Sequence, residues 1–520
     1  MTATEILRHQ HLEVSMTFPA AMMVTTEVSR EEFARTGTML VQEHGFRLVT
    51  LFADDARVQQ QAFALQAIFS HDATHERVMV RTLLPEHEPR YPALTATVMA
   101  AHWYERYAMD MFGIVAEGHP DPRRLVHHEN IPEGTWPLRK DFAWDTRLAH
   151  ADVPHPMHHV AGEGIYEIPV GPIHAGIIEP GHFRFNVAGE RIVTLEGKLF
   201  FTHKGVEKIV EGKTIAEALP FVERISGDMA AAHALAFCQA VEMAAVTTVP
   251  VRAAWIRALL LELERITMHM HDLANIAGNG TGYTIMAAQG FRVKERLMQC
   301  AAAVVGNRFW RGYIVPGGVR EDLPVATLQH IAGVVRSACD EMRSLLTMAL
   351  TSDALRERLE TTGILPQKVA EAYGAVGIAA RASGVDIDVR RDYADAAYAM
   401  LVPEMTTETA GDVFARYMIR VRELEVSAKL VERIIRELPS GTHRATCDPD
   451  TGFGFGAVES WRGEIATTVT IHHGVIERCF PRDPSFCNWA LFGELGPGNI
   501  VPDFPLCNKS LNLSYSGTDL

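Results

Sequence analysis

Ser514 and Gly517 stand three residues apart in the closing stretch N-K-S-L-N-L-S-Y-S-G-T-D-L (Asn508–Leu520). Ser226 and Met229 repeat that spacing in R-I-S-G-D-M-A-A-A-H (Arg224–His233). The closing stretch has the shape of a metal-binding tail with its metal-binding residues taken out. A serine hydroxyl is a neutral donor and acceptor near pH 7, a thioether is weak and uncharged, and glycine has no side chain. Metal sites gain affinity from deprotonated ligands, and these four positions supply no anionic sulfur. The seven cysteines are Cys238, Cys300, Cys339, Cys447, Cys479, Cys487 and Cys507. None form a C-x-x-C pair, which argues against a zinc ribbon, a thioredoxin-type pair or a cysteine-ligated iron–sulfur cluster. A reducing compartment fits them best. The histidines offer no better chelate. His150, His155, His158 and His159 fall in a Pro-rich stretch and are expected to be solvated. His269 and His271 are two apart on a helix and point to different faces. His233, on the Ala-rich run M-A-A-A-H-A-L-A-F, reads first as a core histidine with its ring satisfied.

The elements that must position these groups fall into two blocks. A length of 520 residues predicts two or three domains. With 47% apolar and 22% charged residues the composition is that of a soluble globular protein. A net charge of −15, with no Lys/Arg-dense stretch, argues against nucleic-acid binding. The most apolar run, Ala230 to Val251, is interrupted by His233, Gln239 and Glu242 and predicts a buried helix, not a membrane span. The N-terminus has no basic region ahead of an apolar run, so no signal peptide is expected. No dinucleotide-binding glycine fingerprint follows any strand.

Residues 1–145 alternate strand-like stretches (F-R-L-V-T-L-F-A, H-E-R-V-M-V-R-T-L-L) with a helical one, R-E-E-F-A-R-T-G-T-M-L-V-Q-E-H-G, and predict an α+β domain. Residues 146–164 are rich in Pro, Gly and His without periodicity and predict a linker. Residues 165–520 open with short strands and pass into long helices. In W-I-R-A-L-L-L-E-L-E-R-I-T-M-H-M-H-D-L, the residues Ile256, Leu259, Leu260, Leu263, Ile266 and Met270 recur at helical steps. Arg257, Glu264 and Arg265 populate the other faces, so an amphipathic bundle helix is expected. A second such helix places Phe414, Met418, Val421, Leu424, Val431 and Leu438 in the core. The fold class is therefore α+β: an N-terminal α+β domain fused to a domain with a helical-bundle core and peripheral β-strands.

The stretch H-W-Y-E-R-Y-A-M-D-M-F-G-I-V-A-E-G-H-P-D-P-R-R-L-V-H-H-E-N-I-P-E-G-T-W-P-L-R-K-D-F (His102–Phe142) resembles the C-type subunit of proton-pumping NADH:quinone oxidoreductase, complex I. The remainder of the chain resembles its D-type subunit, which is homologous to the large subunit of [NiFe] hydrogenases. The blocks V-G-P-I-H-A-G-I-I-E-P-G-H-F-R-F, F-T-H-K-G-V-E-K-I-V-E-G-K-T, G-N-R-F-W-R-G-Y-I-V-P-G-G, D-V-R-R-D-Y and S-F-C-N-W occur in collinear order. The fusion is similar to the large subunit of formate-hydrogenlyase-type, membrane-bound group 4 hydrogenases. On that resemblance the domains are a complex I C-subunit (30 kDa)-like domain and a D-subunit (49 kDa)/[NiFe] hydrogenase large-subunit-like domain.

The hydrogenases of this resemblance hold nickel by two C-x-x-C pairs, and Ser226, Met229, Ser514 and Gly517 occupy those positions here. The chain runs three residues past Gly517, so no maturation extension is expected. The resemblance implies a peripheral-arm subunit of the energy-converting hydrogenase-related kind. It would couple electron transfer from a partner iron–sulfur subunit to ion translocation without a NiFe centre. Glu179 matches a proton-shuttling carboxylate, and with His182 and His233 it is a candidate cavity residue. Lys204 is placed near a partner's cluster, with His174 as a further cofactor-side candidate. Arg390, Arg391 and Asp392 resemble a conserved charged cluster. The expected partners are a B-type iron–sulfur subunit with a [4Fe-4S] cluster, an H-type membrane subunit and antiporter-like membrane subunits, on the cytoplasmic side of the membrane. No cofactor is expected on this chain, although quinone stays possible: His182 is a plausible counterpart of the quinone-site histidine, while the tyrosine position falls on Gly227. A quinone-reducing oxidoreductase, a purely architectural subunit and an active hydrogenase with relocated ligands remain as alternatives.

Overall fold

The computed structural model describes residues 2–18, 21–175 and 178–520. Its first block is a five-stranded sheet: β1 (Met16–Phe18), β2 (Met23–Glu27), β3 (Arg47–Asp54), β4 (Ala62–His71) and β5 (Glu76–Pro85). The spatial order is β1-β2-β5-β4-β3. Within this sheet β2 and β5 pair in parallel, because the helix α2 (Arg30–Gln42) and the β3–β4 hairpin intervene between them. Helices α1 (Ala3–His9) and α2 each begin on a capping box, Thr2 with Glu5 and Ser29 with Glu32, which satisfies backbone donors left open in the first turn. Helix α3 (His102–Phe112) comes next. Buried Glu105 accepts from Leu94 N at 2.7 Å and Thr95 N at 3.0 Å. Asp110 gathers the N–H groups of Leu125, Val126 and His127. The acidic residues of the C-type stretch thus shape its own loops.

From Arg147 to Ala161 the backbone carries no helix or strand. Of its histidines, His159 bonds Glu167 at 2.7 Å and His155 is half-buried, its ring pushed down to about 4 chiefly by burial. The second block opens with three antiparallel strands, β6 (Ile165–Val170), β7 (His182–Ala188) and β8 (Arg191–Lys198), with β7 in the middle. A short helix α4 (Val206–Val210) leads to α5 (Ala230–Ala244), α6 (Val251–Asn275), α7 (Thr284–Val305), α8 (Val325–Leu350) and α9 (Val413–Glu437). Helix α6 lies between α7 and α9, and α8 closes the bundle against both. The sheet β9 (Gly452–Glu459), β10 (Glu464–His472), β11 (Val475–Arg482) covers α5. That contact explains two patterns at once. A Cβ at Gly454 would stand 1.7 Å from Ala240 O, and one at Gly456 2.0 Å from Ala236 O. The alternating glycines of G-F-G-F-G and the alanines of α5 therefore let strand and helix touch backbone to backbone. The chain ends in α10 (Pro484–Asn488), α11 (Phe504–Leu511) and α12 (Tyr515–Asp519).

The six apolar positions expected in the core of α6 are all buried. Its charged residues are not on open faces, however: Arg257, Glu264 and Arg265 are buried too. The helix is enclosed all round, and its charges are spent inside. Arg257 pairs with Glu242, and Arg265 donates to the carbonyls of Glu459 and Ser460. In α9, Leu424 and Val431 are buried as expected, but Phe414, Met418, Val421 and Leu438 are only partly so. The buried face of α9 instead carries Arg416, Arg420, Glu423 and Ser427, turned toward α6 and the tail.

The two blocks are bonded to each other. Glu464 of β10 accepts from Arg47 of β3 at 2.7 Å and from Arg482 at 3.0 Å. The Arg77 guanidinium lies 3.4 Å from the Tyr393 ring centroid, and Arg478 donates to Ala53 O at 3.0 Å.

Candidate active site

Two distant segments meet between β6–β7, α5 and α12. Residues Ser226 to Met229 form the turn that starts α5, with Met229 N donating to Ser226 O at 3.1 Å. Met229 has no capping side chain, and the first N–H groups of α5 are taken by Glu264 of α6, at 2.8 Å from Ala231 N and 3.2 Å from Ala232 N. Burial pushes Glu264 up to about 8, only partly offset by those N–H groups. Ser514 caps α12 by accepting from Gly517 N at 2.9 Å. The four positions that resemble ligand sites are therefore brought together. Ser226 Oγ lies 3.0 Å from Ser514 Oγ and 2.9 Å from Asp228 Oδ1. Ser226, Met229 and Ser514 are buried.

Three residues that no motif singles out complete this centre. Arg462 clasps Asp228 through two nitrogens at 2.8 and 2.7 Å, stacks 4.0 Å above Trp461 and also donates to Asn512 O. Burial alone would raise Asp228, but the Arg462 charge and its hydrogen bonds hold it at about 2. Asp483 Oδ2 lies 2.9 Å from His233 Nε2, both side chains fully enclosed. Burial works against the Asp483 charge, yet His233 and Arg462 outweigh it and keep the carboxyl below its usual range. Asp483 also caps α10, accepting from Ser485 N at 2.8 Å. A local signal for that cap does exist in D-P-S, an aspartate ahead of proline at a helix start.

Asp483 also explains Gly517. A Cβ there would stand 2.4 Å from Asp483 Oδ2 and 2.7 Å from its Cγ. The carboxylate fills the space that a larger residue at 517 would need.

Glu179 and Lys204 reach the same centre through one residue. Glu179 accepts from Ser516 N at 3.1 Å, and Lys204 Nζ donates to Ser516 O at 2.9 Å and Ile225 O at 3.2 Å. Lys204 thereby ties the residue before Ser226 to the tail, and burial draws its ammonium down while Glu179 and Asp519 oppose that. Asp519 fastens the tail from the other side, accepting from Phe200 N and Thr202 N at 2.9 Å each. His182 and His174 sit at the neck of the β6–β7 loop. His182 Nδ1 is 3.2 Å from Gly171 O and His174 Nε2 is 2.7 Å from Gly181 O. Among the described residues neither bonds the serine cluster. His233 is at the centre, but as the partner of Asp483; its Nδ1 has no partner among the described residues.

Among the described residues no group of three or more His, Cys, Asp and Glu side chains is arranged to hold a metal ion. The arrangement offers Asp228 bonded to Arg462, Asp483 bonded to His233, Glu179 bonded to Ser516 N, two hydroxyls bonded to each other and an enclosed thioether. Such a set can order hydrogen bonds and pass protons. It carries no anionic sulfur.

Three family patterns match along the chain. The 30 Kd subunit of respiratory-chain NADH dehydrogenase matches residues 26–147, the 49 Kd subunit matches 280–451, and nickel-dependent hydrogenase matches 204–274. Formate hydrogenlyase subunit 5 of Escherichia coli (strain K12) is 32% identical over 491 residues, covering 92% of this chain and 86% of that protein. The chain belongs to the fused 30 kDa/49 kDa-type subunits of complex I and group 4 hydrogenases. Hydrogenase-4 component G of the same strain is 32% identical, covering 92% and 85%. The fused C/D subunit of NADH-quinone oxidoreductase from Bacteroides thetaiotaomicron is 27% identical, covering 79% and 82%. Members of this family span hydrogenase and quinone oxidoreductase names on one fold, so the fold does not choose between those chemistries. The chain is a redox-complex subunit by family. No helix of the described residues is long and apolar enough to cross a membrane.

Proposed function

We propose that the chain is the peripheral-arm subunit of a membrane-bound, hydrogenase-related complex and works without a nickel–iron centre. It couples electron transfer in a partner B-type iron–sulfur subunit to ion translocation by H-type and antiporter-like membrane subunits, from the cytoplasmic face. The observation that carries the metal-free reading is the direct Ser226–Ser514 hydrogen bond of 3.0 Å, with Asp483 filling the space beside Gly517. A nickel–iron centre of the hydrogenase kind calls for soft, anionic thiolate ligands. Hydroxyl, thioether and bare backbone do not fit that group, and the oxygen atoms are already bonded to each other. In place of metal bonds, the two segments are joined by Ser226–Ser514, by Lys204 between Ile225 O and Ser516 O, and by Arg462 between Asp228 and Asn512 O. That metal-free clasp supports a transmitting role: a change at the partner's cluster is passed through a packed, two-segment element. Metal analysis of the complex purified through this chain tests the reading, with no stoichiometric nickel expected.

A further inference from the structure

A second polar cluster lies between α6, α9 and β9, and its charges do not cancel. Arg381 reaches Glu459 at 2.7 Å, Glu423 at 2.8 Å and Asp388 at 3.5 Å. Arg390 reaches Asp388 at 2.7 Å and Glu262 at 3.1 Å. Arg265 lies 3.4 Å from Glu262 and 3.6 Å from Glu423, and His269 Nε2 lies 2.8 Å from Glu423. None of these side chains is more than 5% exposed. Burial lowers His269 and favours its neutral ring, so four carboxylates face three guanidinium groups, which leaves one negative charge over. Among the described residues no further cation makes an ion pair with these four carboxylates, and the nearby buried Arg77 stacks on Tyr393 and bonds Ala21 O instead. Arg420 is paired with Asp272 at 2.8 Å, and Arg391 with Asp392 at 2.6 Å. Their neighbour Arg416 is bonded to the neutral oxygens of Ser510, Gly411 and Gly363, and among the described residues it pairs with none of the four carboxylates.

A surplus carboxylate cut off from water takes up a proton in preference to staying charged. Donor geometry identifies which one. Glu262 is served by two arginines, by Tyr398 Oη at 2.6 Å and by Ser427 Oγ at 2.6 Å. Asp388 is gripped by Arg390 Nε at 3.0 Å and Nη2 at 2.7 Å, and Glu423 takes Arg381 and His269. Glu459 has only one Arg381 nitrogen, shared with Ile387 O, and Val389 N at 3.2 Å. It is the most weakly held of the four. A narrow crevice of ≈ 20 Å³ reaches it past Gln239, Arg390, Tyr393, Asp395 and Tyr398, with room for about one water.

We propose that this network is a proton-binding site in which Glu459 holds one exchangeable proton, exchanged with water in the crevice. The proton arrives on hydronium and leaves the same way, so no oxidant or reductant is involved. The groups around Glu459 are Glu262, Arg265 and His269 on α6, Arg381, Asp388 and Arg390 on the 377–392 segment, Glu423 on α9, Asp395 and Tyr398 on the crevice wall, and Glu464, its cross-strand partner on β10, which is itself paired with Arg47 and Arg482. Helix α5 contributes the neutral Gln239. Burial first and Asp388 second push Glu459 above the usual carboxylate range, against the pull of Arg381 and Arg265. The site is joined to the serine cluster through its own strand: Arg265 holds the carbonyls of Glu459 and Ser460, and Trp461 and Arg462 hold Asp228. A proton bound there therefore bears on the clasp, yet the site itself stands independently of the redox role proposed above.

Infrared spectroscopy of the purified full chain, with ¹³C-carboxyl glutamate, tests this. Glu264, pushed up to about 8 by burial, is expected to give a protonated-carboxyl band of its own, so the Glu264→Gln variant is the reference. It is expected to keep one isotope-shifted glutamic acid band at neutral pH that disappears at alkaline pH. The band is expected to vanish in Glu264→Gln/Glu459→Gln. Asp388→Asn, which removes the surplus charge elsewhere, is expected to move its disappearance to lower pH and covers the case of a poorly folded Glu459 variant. A reference spectrum without a glutamic acid band at neutral pH overturns the proposal. So does a band that survives Glu459→Gln, or an unchanged titration in Asp388→Asn.

Discussion

Replacing Gly517 by alanine tests the packing that excludes a ligand there. The added Cβ would stand 2.4 Å from Asp483 Oδ2, 2.7 Å from its Cγ and 3.0 Å from Ser514 Cβ. Asp483 cannot swing aside cheaply, since His233 holds it at 2.9 Å and Ser485 N at 2.8 Å, and both Asp483 and His233 are fully enclosed. Overpacking of a filled core costs about 1–3 kcal/mol. Pulling a buried carboxylate off one hydrogen bond adds about 1.5–3 kcal/mol. The two overlap, because the clash is relieved as the bond is lost, so the expected cost is about 3 kcal/mol. Urea unfolding of the purified chain measures it, from the shift in midpoint at constant slope. Gly333→Ala is the control: it lies inside α8, nothing lies within 4 Å of its added Cβ, and a gain of about 0.5–1 kcal/mol is expected. A Gly517→Ala loss below about 0.5 kcal/mol, within the range of harmless surface changes, would refute the reasoning. It would mean that Asp483 yields and that the space can be reopened. By the same geometry Ser226→Cys/Met229→Cys/Ser514→Cys/Gly517→Cys carries this penalty and is expected to bind no stoichiometric nickel.

Further outcomes follow from single contacts. Glu464 is held at about 2, where burial would raise it but Arg47 and Arg482 win. Its stabilising contribution is therefore present above its unfolded value of 4.5 and lost as pH falls through about 2, and is worth about 3 kcal/mol. Glu464→Gln is expected to flatten the acid limb of a stability–pH curve. Glu264 has the opposite sign: raised to about 8, its contribution is intact below 4.5 and lost as pH rises through 8, so Glu264→Gln should remove that alkaline decline. Lys204→Met leaves Ile225 O and Ser516 O without their donor, and hydrogen exchange in 514–519 should accelerate with a stability loss of about 1–3 kcal/mol. Gly454→Ala, with its Cβ 1.7 Å from Ala240 O, should cost more than Gly517→Ala because backbone and not a side chain must move; thermal unfolding checks the ranking.

Periodicity located the long helices, and the strands of both blocks were readable from apolar stretches bounded by turns. Periodicity could not show enclosure on every side. Arg257, Glu264 and Arg265 looked like the outer face of α6, but their partners Glu242, Ala231 N and the Glu459 carbonyl come from elements up to about two hundred residues away in sequence. A hydrophobic scale places a charged residue outside unless a partner is known. The serine cluster was half legible. Ser226, Met229, Ser514 and Gly517 were singled out by resemblance to the hydrogenase ligand motifs, and Glu179 and His233 lie beside them. Asp228, Arg462 and Asp483 were missed because their meaning lies in one another, and no local pattern pairs residue 228 with 462 or 233 with 483. His182 was expected in the cavity but bonds across the neck of its own loop, a choice made by Gly171 O.

Nickel content relative to this polypeptide, measured by mass spectrometry on the intact purified complex together with hydrogen oxidation, tests the central claim most directly. The account predicts nickel far below one atom per chain and no hydrogen oxidation. About one nickel per chain, retained through washing and accompanied by hydrogen oxidation, would contradict it.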